Sequence, residues 1–192
     1  MGRTGHSVVL ARHGETEWSL SGQHTGSTDL PLTDEGRRQA QALAPRLAGR
    51  EFALVLSSPL GRALETCRLA GLGDVVQVRE DLREWDYGDY EGMTTPQIQE
   101  RAPGWYLFDD GCPHGESAED VGARADRVAA ELRAADGDAA VFGHGHCLRV
   151  LAARWLELPA RDAGRFALST ATLGELGGEH GRPVMWGWNQ AS

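Results

Sequence analysis

Two arginines and two histidines stand where buried strands would end. The apolar run Val8–Leu10 leads to Arg12 and His13, and a glycine follows. Two later apolar runs lead to Arg62 and to His144, and His144 lies between two glycines. Arginine can grip an anion through a planar pair of donors, and histidine can attack phosphorus as a nucleophile. These residue types indicate a site for a phosphate-sized anion and for phosphoryl transfer.

Short apolar runs that alternate with longer helical patterns must position these side chains. Strands are predicted over residues 7–11, 53–57, 75–78 and 139–142, with further short strands over 172–176 and 183–188. Helices are predicted over residues 34–48, 59–71, 117–136 and 146–157, with a short one at 96–101. This alternation predicts an α/β fold with three α/β/α layers, in which helices cover both faces of a mostly parallel sheet. Ligands bind at the carboxyl ends of such strands, where the two arginines and two histidines would meet.

Four local signals set the expected helix boundaries. Ser58 and Thr95 each precede a proline, which predicts an N-cap followed by proline at the first helical position. Ser117 and the Asp three residues later resemble a capping box. Pro45 should kink or end the first long helix.

Residues 80–116 interrupt the alternation. They are rich in Gly, Pro, Trp, Tyr and Asp and contain only the short helix signal. We interpret them as a cap inserted over the strand ends. The prediction is a single domain over residues 1–192 with a cap insertion at about 80–116.

Composition narrows the class of partner. The net charge is −9, from 19 basic and 28 acidic residues, which argues against nucleic-acid binding. No apolar run reaches the roughly 18 residues of a membrane span. Cys67, Cys112 and Cys147 show no metal-site or disulfide spacing and fit a reducing, cytoplasmic setting. The sequence leaves the oligomeric state open, a homo-oligomer included.

Three short motifs carry a family resemblance. The motif RHGET covers residues 12–16, SSPLGRALET covers 57–66 and GHG covers 143–145. In this order and at strand ends, they resemble the histidine phosphatase superfamily, which has the phosphoglycerate mutase-like fold. The longer stretches EWSLSGQHTGSTDLPLT (17–33) and REWDYGDYEGM (83–93) are most similar to its small sugar-bisphosphatase-like members, including sedoheptulose-bisphosphatase-like proteins.

The resemblance implies a mechanism. His13 would attack phosphorus and become phosphohistidine, while Arg12, Arg62 and His144 hold the phosphoryl oxygens. Glu84 matches the position of the general acid that protonates the leaving alcohol. No metal and no other cofactor is implied, because arginines supply the positive charge.

A second set of residues is expected to bind a small phosphorylated substrate, a sugar phosphate or bisphosphate. Arg149 lies five residues after His144 and would meet a second anion; its alternative is a surface ion pair. Tyr87 in the cap would close over the carbon chain. Many relatives carry a phosphate-binding Asn where this chain has Ser19. The Ser19 hydroxyl is expected to donate the corresponding hydrogen bond to phosphate. The remaining expected contacts are Gln23, His24, Thr25 and Ser58.

Two other functions stay open. The first is a phosphoglycerate mutase, which would keep the phosphohistidine from water; cofactor-dependent mutases usually have a longer middle region and tail. The second is a non-catalytic phosphate-binding or interaction module. An HxH metal pair of His144 and His146 is disfavoured, because no third ligand is apparent in the sequence.

Overall fold

A computed structural model describes residues 4–191. Its helices are α1 to α8: Glu17–Ser21, Asp34–Ala42, Ala44–Leu47, Gly61–Leu69, Thr95–Arg101, Leu107–Asp110, Ala118–Arg133 and Gly145–Trp155. Its strands are β1 to β6: Thr4–Arg12, Leu54–Ser57, Gln77–Val78, Ala139–Gly143, Leu173–Glu179 and Arg182–Gln190. Short 3-10 helices cover Glu80–Leu82, Gly88–Tyr90 and Ala160–Arg165.

The six strands form one sheet in the order β3-β2-β4-β1-β5-β6. The first four in that order are parallel neighbours, whereas β5 and β6 run antiparallel at the other edge. The mostly parallel sheet of the sequence prediction is confirmed. Because β1, β2 and β4 are adjacent and parallel, the residues that follow them emerge at the same edge of the sheet.

Alternation along β1 separates two hydrophobic cores. Val8 and Leu10 face the core built with α7 and α8. Val9 and Ala11 face a second core, which includes Leu43 before α3 and residues of α4. Successive strand residues point to opposite faces, so a sheet with two buried faces reads as a continuous apolar run. The predicted three-layer arrangement, with helices on both faces of the sheet, is confirmed.

The structure moves two predicted helix starts. Helix α4 begins at Gly61 with Leu60 as its N-cap, so Ser58 is not the cap that its neighbour Pro59 suggested. The Ser58 hydroxyl instead lies 2.7 Å from a ring nitrogen of His144. Helix α5 is capped by Thr94, one residue earlier than predicted. Local cap signals place a helix to within a few residues, and a tertiary hydrogen bond can claim the same hydroxyl.

Two other local signals hold. Ser117 caps α7 and Asp120 returns the bond, which is the predicted capping box. The helical pattern over 34–48 is broken at Leu43 into α2 and α3, and Pro45 occupies the first turn of α3. Proline lacks an N–H and is tolerated there.

Residues 80–116 hold 3-10 turns and the short helices α5 and α6, and pack Trp85, Ile98 and Phe108 into the core shared with α7 and α8. None of the helices between residues 4 and 191 is long and apolar enough to span a bilayer.

Candidate active site

His13 occupies the turn directly after β1. Its backbone N–H donates to Gly143 of β4 and its carbonyl accepts from Ala171, so both neighbouring segments fix it. The ring Nδ1 lies 2.7 Å from the Gly14 carbonyl oxygen, which can only accept. Nδ1 therefore carries the hydrogen, and Nε2 carries the lone pair.

Burial, reinforced by the charge of Arg12, lowers the pKa of His13 well below its usual range. The ring is neutral at pH 7, which a nucleophile requires. The turn itself depends on glycine, because a Cβ on Gly14 would lie 2.2 Å from the carbonyl oxygen of Gly36. Two backbone segments approach each other here more closely than any side chain allows.

Arg12 presents its guanidinium beside His13. Nη1 donates to the Leu168 carbonyl, whereas Nε is a buried nitrogen with no hydrogen-bond partner among the described residues. A Cβ on Gly145 would lie 3.2 Å from the guanidinium carbon, so glycine leaves room for Arg12 at the start of α8. An unpaired buried donor is costly to the folded state.

Arg62 and His144 lie in a layer behind His13. The His13 and His144 ring centroids are 5.2 Å apart. Arg62 is completely buried, and its Nε lies 3.2 Å from Nδ1 of His144. Because Nε of arginine can only donate, Nδ1 of His144 accepts. The ring hydrogen of His144 is therefore on Nε2, which donates to Ser58. Burial, with the charge of Arg62, lowers the pKa of His144 well below its usual range. His144 is therefore neutral, and both of its ring nitrogens are hydrogen-bonded within this layer.

Three predicted site residues lie in this layer and not in the lining of the cavity beside His13. Neither His144 nor Ser58 lines the cavity, and the Ser58 hydroxyl is hydrogen-bonded to His144. Arg62 does not line it either. Its guanidinium is tied by hydrogen bonds to the carbonyls of residues 25, 26 and 28 as well as to His144. Arg62 therefore holds the loop over residues 25–28 in place and acts on His13 through its charge.

The cavity has a volume of about 230 Å³. Its lining residues come from the turn after β1, the loop over 19–25, the cap, the start of α8 and the segment before β5: Arg12, His13, Ser19, Gly22, Gln23, His24, Thr25, Glu84, Tyr87, Thr95, Gly145, His146, Arg149 and Leu168. Every predicted site residue therefore lines this cavity except Ser58, Arg62 and His144, which form the layer behind His13.

Glu84 reaches the cavity from the cap segment. One carboxylate oxygen accepts from the backbone N–H groups of Trp85 and Cys147, and the other accepts from the N–H of His146. Two of these donors belong to the first turn of α8, where backbone N–H groups lack helical partners. Only 8% of Glu84 is exposed. The helix terminus thus fixes this carboxyl group on the cavity wall.

Polar side chains of the loop after His13 are anchored by hydrogen bonds within the protein. Ser19 forms a capping box with Thr16, which occupies its hydroxyl proton. Gln23 donates from Nε2 to the Gly92 carbonyl, 2.7 Å away. His24 donates from Nδ1 to Met93, at 2.8 Å, which leaves Nε2 for another partner. These anchors hold the side chains at the rim in fixed orientations.

Arg149 lines the cavity, and two of its three guanidinium nitrogens are hydrogen-bonded to the protein. Nε and Nη2 donate to the carbonyls of Ala163 and Gly164, and the guanidinium carbon lies 4.6 Å above the Phe108 ring. Burial lowers the pKa of Arg149. Its alternative interpretation, a surface ion pair, fails within the described chain, where no carboxylate pairs with it.

His146 also lines the cavity, although its place in the sequence suggested only a metal ligand. The Tyr87 hydroxyl lies 2.6 Å from its Nδ1. Burial raises the pKa of Tyr87 well above its usual range, and burial together with Arg149 lowers the pKa of His146 well below its usual range. Tyr87 therefore keeps its proton and donates, and Nε2–H of His146 becomes a donor. The position of His146 in the first helical turn after His144 is the sequence signal that could have identified it as a site residue.

Thr95 is a second lining residue that sequence reasoning missed, because its neighbouring proline indicates only a helix cap. Among the described residues, no group of three or more His, Cys, Asp or Glu side chains is placed to hold a metal ion.

Comparisons with known proteins agree with this geometry. Residues 8–191 match the profile of the histidine phosphatase superfamily, branch 1. An acid phosphatase of Mycobacterium tuberculosis is 46% identical over 186 residues, covering 94% of this chain and 91% of its own. The sedoheptulose 1,7-bisphosphatase of Saccharomyces cerevisiae is 38% identical, with 78% of this chain and 67% of its own covered.

A solved structure, of a functionally characterised open reading frame from Mycobacterium tuberculosis, superimposes with a TM-score of 0.92 at 43% identity. The superposition covers 98% of this chain and 99% of that one. Family match, relatives and fold agree with the motifs at the strand ends. This chain belongs to branch 1 of the histidine phosphatase superfamily and is a histidine phosphatase, a phosphoric monoester hydrolase.

Proposed function

We propose that this protein hydrolyses a small phosphorylated metabolite, a sugar phosphate or bisphosphate, through a phosphohistidine and without a metal ion. The observation that carries the proposal is the tautomer of His13. Its Nδ1–H is held by the Gly14 carbonyl, which leaves the lone pair on Nε2 in a cavity that Arg12 also lines. A neutral, oriented imidazole beside a guanidinium is suited to attack a phosphate monoester.

The reaction has two steps. Nε2 of His13 forms a bond to phosphorus as the phosphorus–oxygen bond of the ester breaks, and Glu84 in its acid form gives its proton to the leaving alkoxide. Glu84, now a carboxylate, takes a proton from water as the water oxygen attacks phosphorus and the phosphorus–nitrogen bond breaks. Inorganic phosphate leaves, and both side chains return to their starting states.

Positive charge balances the transferring phosphoryl group. Arg12 contacts it from the cavity wall, and the charge of Arg62, which acts electrostatically on His13, adds to the positive potential there, while His144 orients Arg62. Preorganised donors of this kind often contribute more to catalysis than any other effect, because they need no rearrangement as charge develops.

The lining of the cavity favours a small, hydroxyl-rich substrate. Its 230 Å³ lies below the range of about 300–1,000 Å³ that is usual for drug-sized ligands. Gln23, His24, Thr25 and Tyr87 offer hydrogen bonds to hydroxyl groups, and Arg149 is available for a second phosphate or a carboxylate. The sugar-bisphosphatase named among the relatives supports this substrate class.

The decisive experiment is to trap the intermediate. Rapid quench with ³²P-labelled substrate should yield an acid-labile, base-stable phosphoprotein, and His13→Ala should abolish both the adduct and turnover. His180→Asn, at an exposed turn residue with positive φ that Asn tolerates, is the matched control and should retain both. An acid-stable adduct, or normal turnover by His13→Ala, would remove His13 from the role of nucleophile.

Two further assays separate the alternatives. Turnover of p-nitrophenyl phosphate in EDTA, with competitive inhibition by vanadate, is expected of a metal-independent phosphatase; loss in EDTA that Mg²⁺ restores would refute metal independence. A mutase would interconvert 3- and 2-phosphoglycerate faster than it releases phosphate. A binding module would bind phosphate esters without turning them over.

A further inference from the structure

The segment that carries Glu84 is irregular, yet it is held from both sides. Before Glu84 lies the 3-10 turn Glu80–Leu82, and after it the chain continues without a regular element to Gly88. Hydrogen bonds from the start of α8 fix the carboxyl group, but backbone position must come from elsewhere. A carboxyl group that is to meet a leaving oxygen needs its backbone fixed to a fraction of an ångström.

Arg124 on α7 supplies that fixation. It is only 8% exposed. Its Nη1 donates to the carbonyls of Asp81 and Arg83, at 2.8 and 2.6 Å, and its Nη2 donates to the carbonyl of Glu84, at 3.2 Å. One planar guanidinium thus binds three carbonyls of the segment, the last of which belongs to Glu84 itself.

Glu116 completes the arrangement on the other side of Glu84. Its carboxylate pairs with Arg124 through Nε and Nη2, at 2.8 and 2.9 Å. The same carboxylate accepts the backbone N–H of Asp86, and the Glu116 carbonyl accepts Nε1–H of Trp85. The Arg124–Glu116 pair therefore holds the chain immediately before and immediately after Glu84.

Stability alone does not account for such a pair. Burying the charge of Arg124 beside a partly buried carboxylate is expensive, and apolar side chains of similar volume often stabilise a protein equally well. The bonds of Arg124 and Glu116 instead converge on residues 81–86, which flank one carboxyl group of the cavity.

We infer that Arg124, paired with Glu116, is a positioning residue that sets Glu84 for proton transfer to the leaving group. The inference rests on the proposed role of Glu84 as the general acid. It assigns no contact between Arg124 and the substrate.

The test compares leaving groups. Single-turnover phosphorylation of His13 is measured with glycerol phosphate, whose alkoxide is a poor leaving group, and with p-nitrophenyl phosphate, whose leaving group needs little protonation. Arg124→Gln should slow the glycerol phosphate reaction by about 10²-fold, the cost of a misplacement of about 1 Å, and the aryl reaction far less. In a Glu84→Gln background, Arg124→Gln should cause no further loss with glycerol phosphate.

Two other variants keep the test decisive. Arg127→Gln is the matched control on α7, because Arg127 forms an ion pair with the Asp81 side chain but bonds to none of the three carbonyls. It should leave the ratio of the two rates unchanged. Arg124→Lys should retain part of the phosphorylation rate with glycerol phosphate. It replaces Arg124→Gln in the test if thermal unfolding shows that Arg124→Gln does not fold.

The outcomes distinguish the inference from the proposed function. Equal losses with both substrates in Glu84→Gln would overturn the general acid and the inference together. The inference alone would be overturned if Glu84→Gln caused a selective loss with glycerol phosphate but the Arg124 variants slowed both substrates equally. It would also be overturned if Arg124→Gln caused a further loss in the Glu84→Gln background. Either result would make Arg124 a residue that contributes only to stability.

Discussion

Replacing Arg149 by alanine should change which substrate the enzyme prefers, with little effect on phosphoryl transfer itself. Arg149 lines the cavity together with Arg12, and Nε and Nη2 are already held by the carbonyls of Ala163 and Gly164. The remaining nitrogen, Nη1, has no hydrogen bond in the described chain and is the donor available to a second anion.

The expected size follows from one interaction. A charge-assisted hydrogen bond contributes roughly 1.5–3 kcal/mol, which corresponds to about 10- to 150-fold in kcat/KM. Arg149→Ala should lower kcat/KM for a sugar bisphosphate by this factor. p-Nitrophenyl phosphate, which has no second anion, should be affected far less. The readout is the ratio of the two values, because any loss of packing on Phe108 affects both substrates alike.

Arg154→Ala is the control on the same helix, since Arg154 pairs with Asp126 near the surface. It should leave the ratio unchanged. Equal losses for both substrates in Arg149→Ala would place Arg149 at the transferred phosphate or in folding. If kcat/KM changes for neither substrate, Arg149 does not recognise a second phosphate.

Three further outcomes are expected. Urea denaturation should show stability falling by about 4 kcal/mol from pH 7 to pH 5.5: the lowered pKa values of His13, His144 and His146 keep all three neutral when folded, whereas unfolded histidines take up protons below about 6.5. This contribution is present above that pH and is lost as pH falls towards the folded values; a variant with asparagine at all three positions should lack the slope. Gly14→Ala should lower the free energy of unfolding by several kcal/mol, since its Cβ would lie 2.2 Å from the Gly36 carbonyl oxygen. Gly145→Ala, whose Cβ would lie 3.2 Å from the Arg12 guanidinium, should keep its Tm and lose about tenfold in kcat/KM. A stable Gly14→Ala together with an unfolded Gly145→Ala would refute this reasoning. Tyr87→Phe removes the proton donated to His146 and should cost about 1 kcal/mol in unfolding free energy; an unchanged value would mean that this hydrogen bond contributes nothing to stability.

The sequence was sufficient to predict how the reacting groups converge. Arg12, His13 and His144 each follow a short apolar run, and parallel strands place such residues at one edge. Hydrophobic periodicity is a local property of the chain, so it can be recognised from the sequence alone. The cap segment was predicted from the break in this alternation and from its composition, and the cavity residues of the loop from their position directly after His13.

The sequence was not sufficient where two distant groups compete for one side chain. Ser58 has every local mark of an N-cap, yet His144, 86 residues later, takes its hydroxyl. Arg62 was expected to contact phosphate directly, but carbonyls of the loop over 25–28 take up most of its donors. Hydrogen bonds of this kind depend on tertiary distances, which no spacing along the chain encodes.

The hydrogen bonds between the loop after His13 and the cap have a consequence for motion. His24 and residues 92–93 exchange backbone bonds in both directions, and the Glu91 carboxylate accepts from the N–H groups of Gly26 and Thr28. Segments bonded in this way open together or not at all, as one cooperative unit of local unfolding. The amides of His24, Gly26, Thr28 and Gly92 should therefore share a single hydrogen-exchange free energy. In evolution, a change that widens one side of the rim must be matched on the other, so substrate range is expected to shift through paired changes.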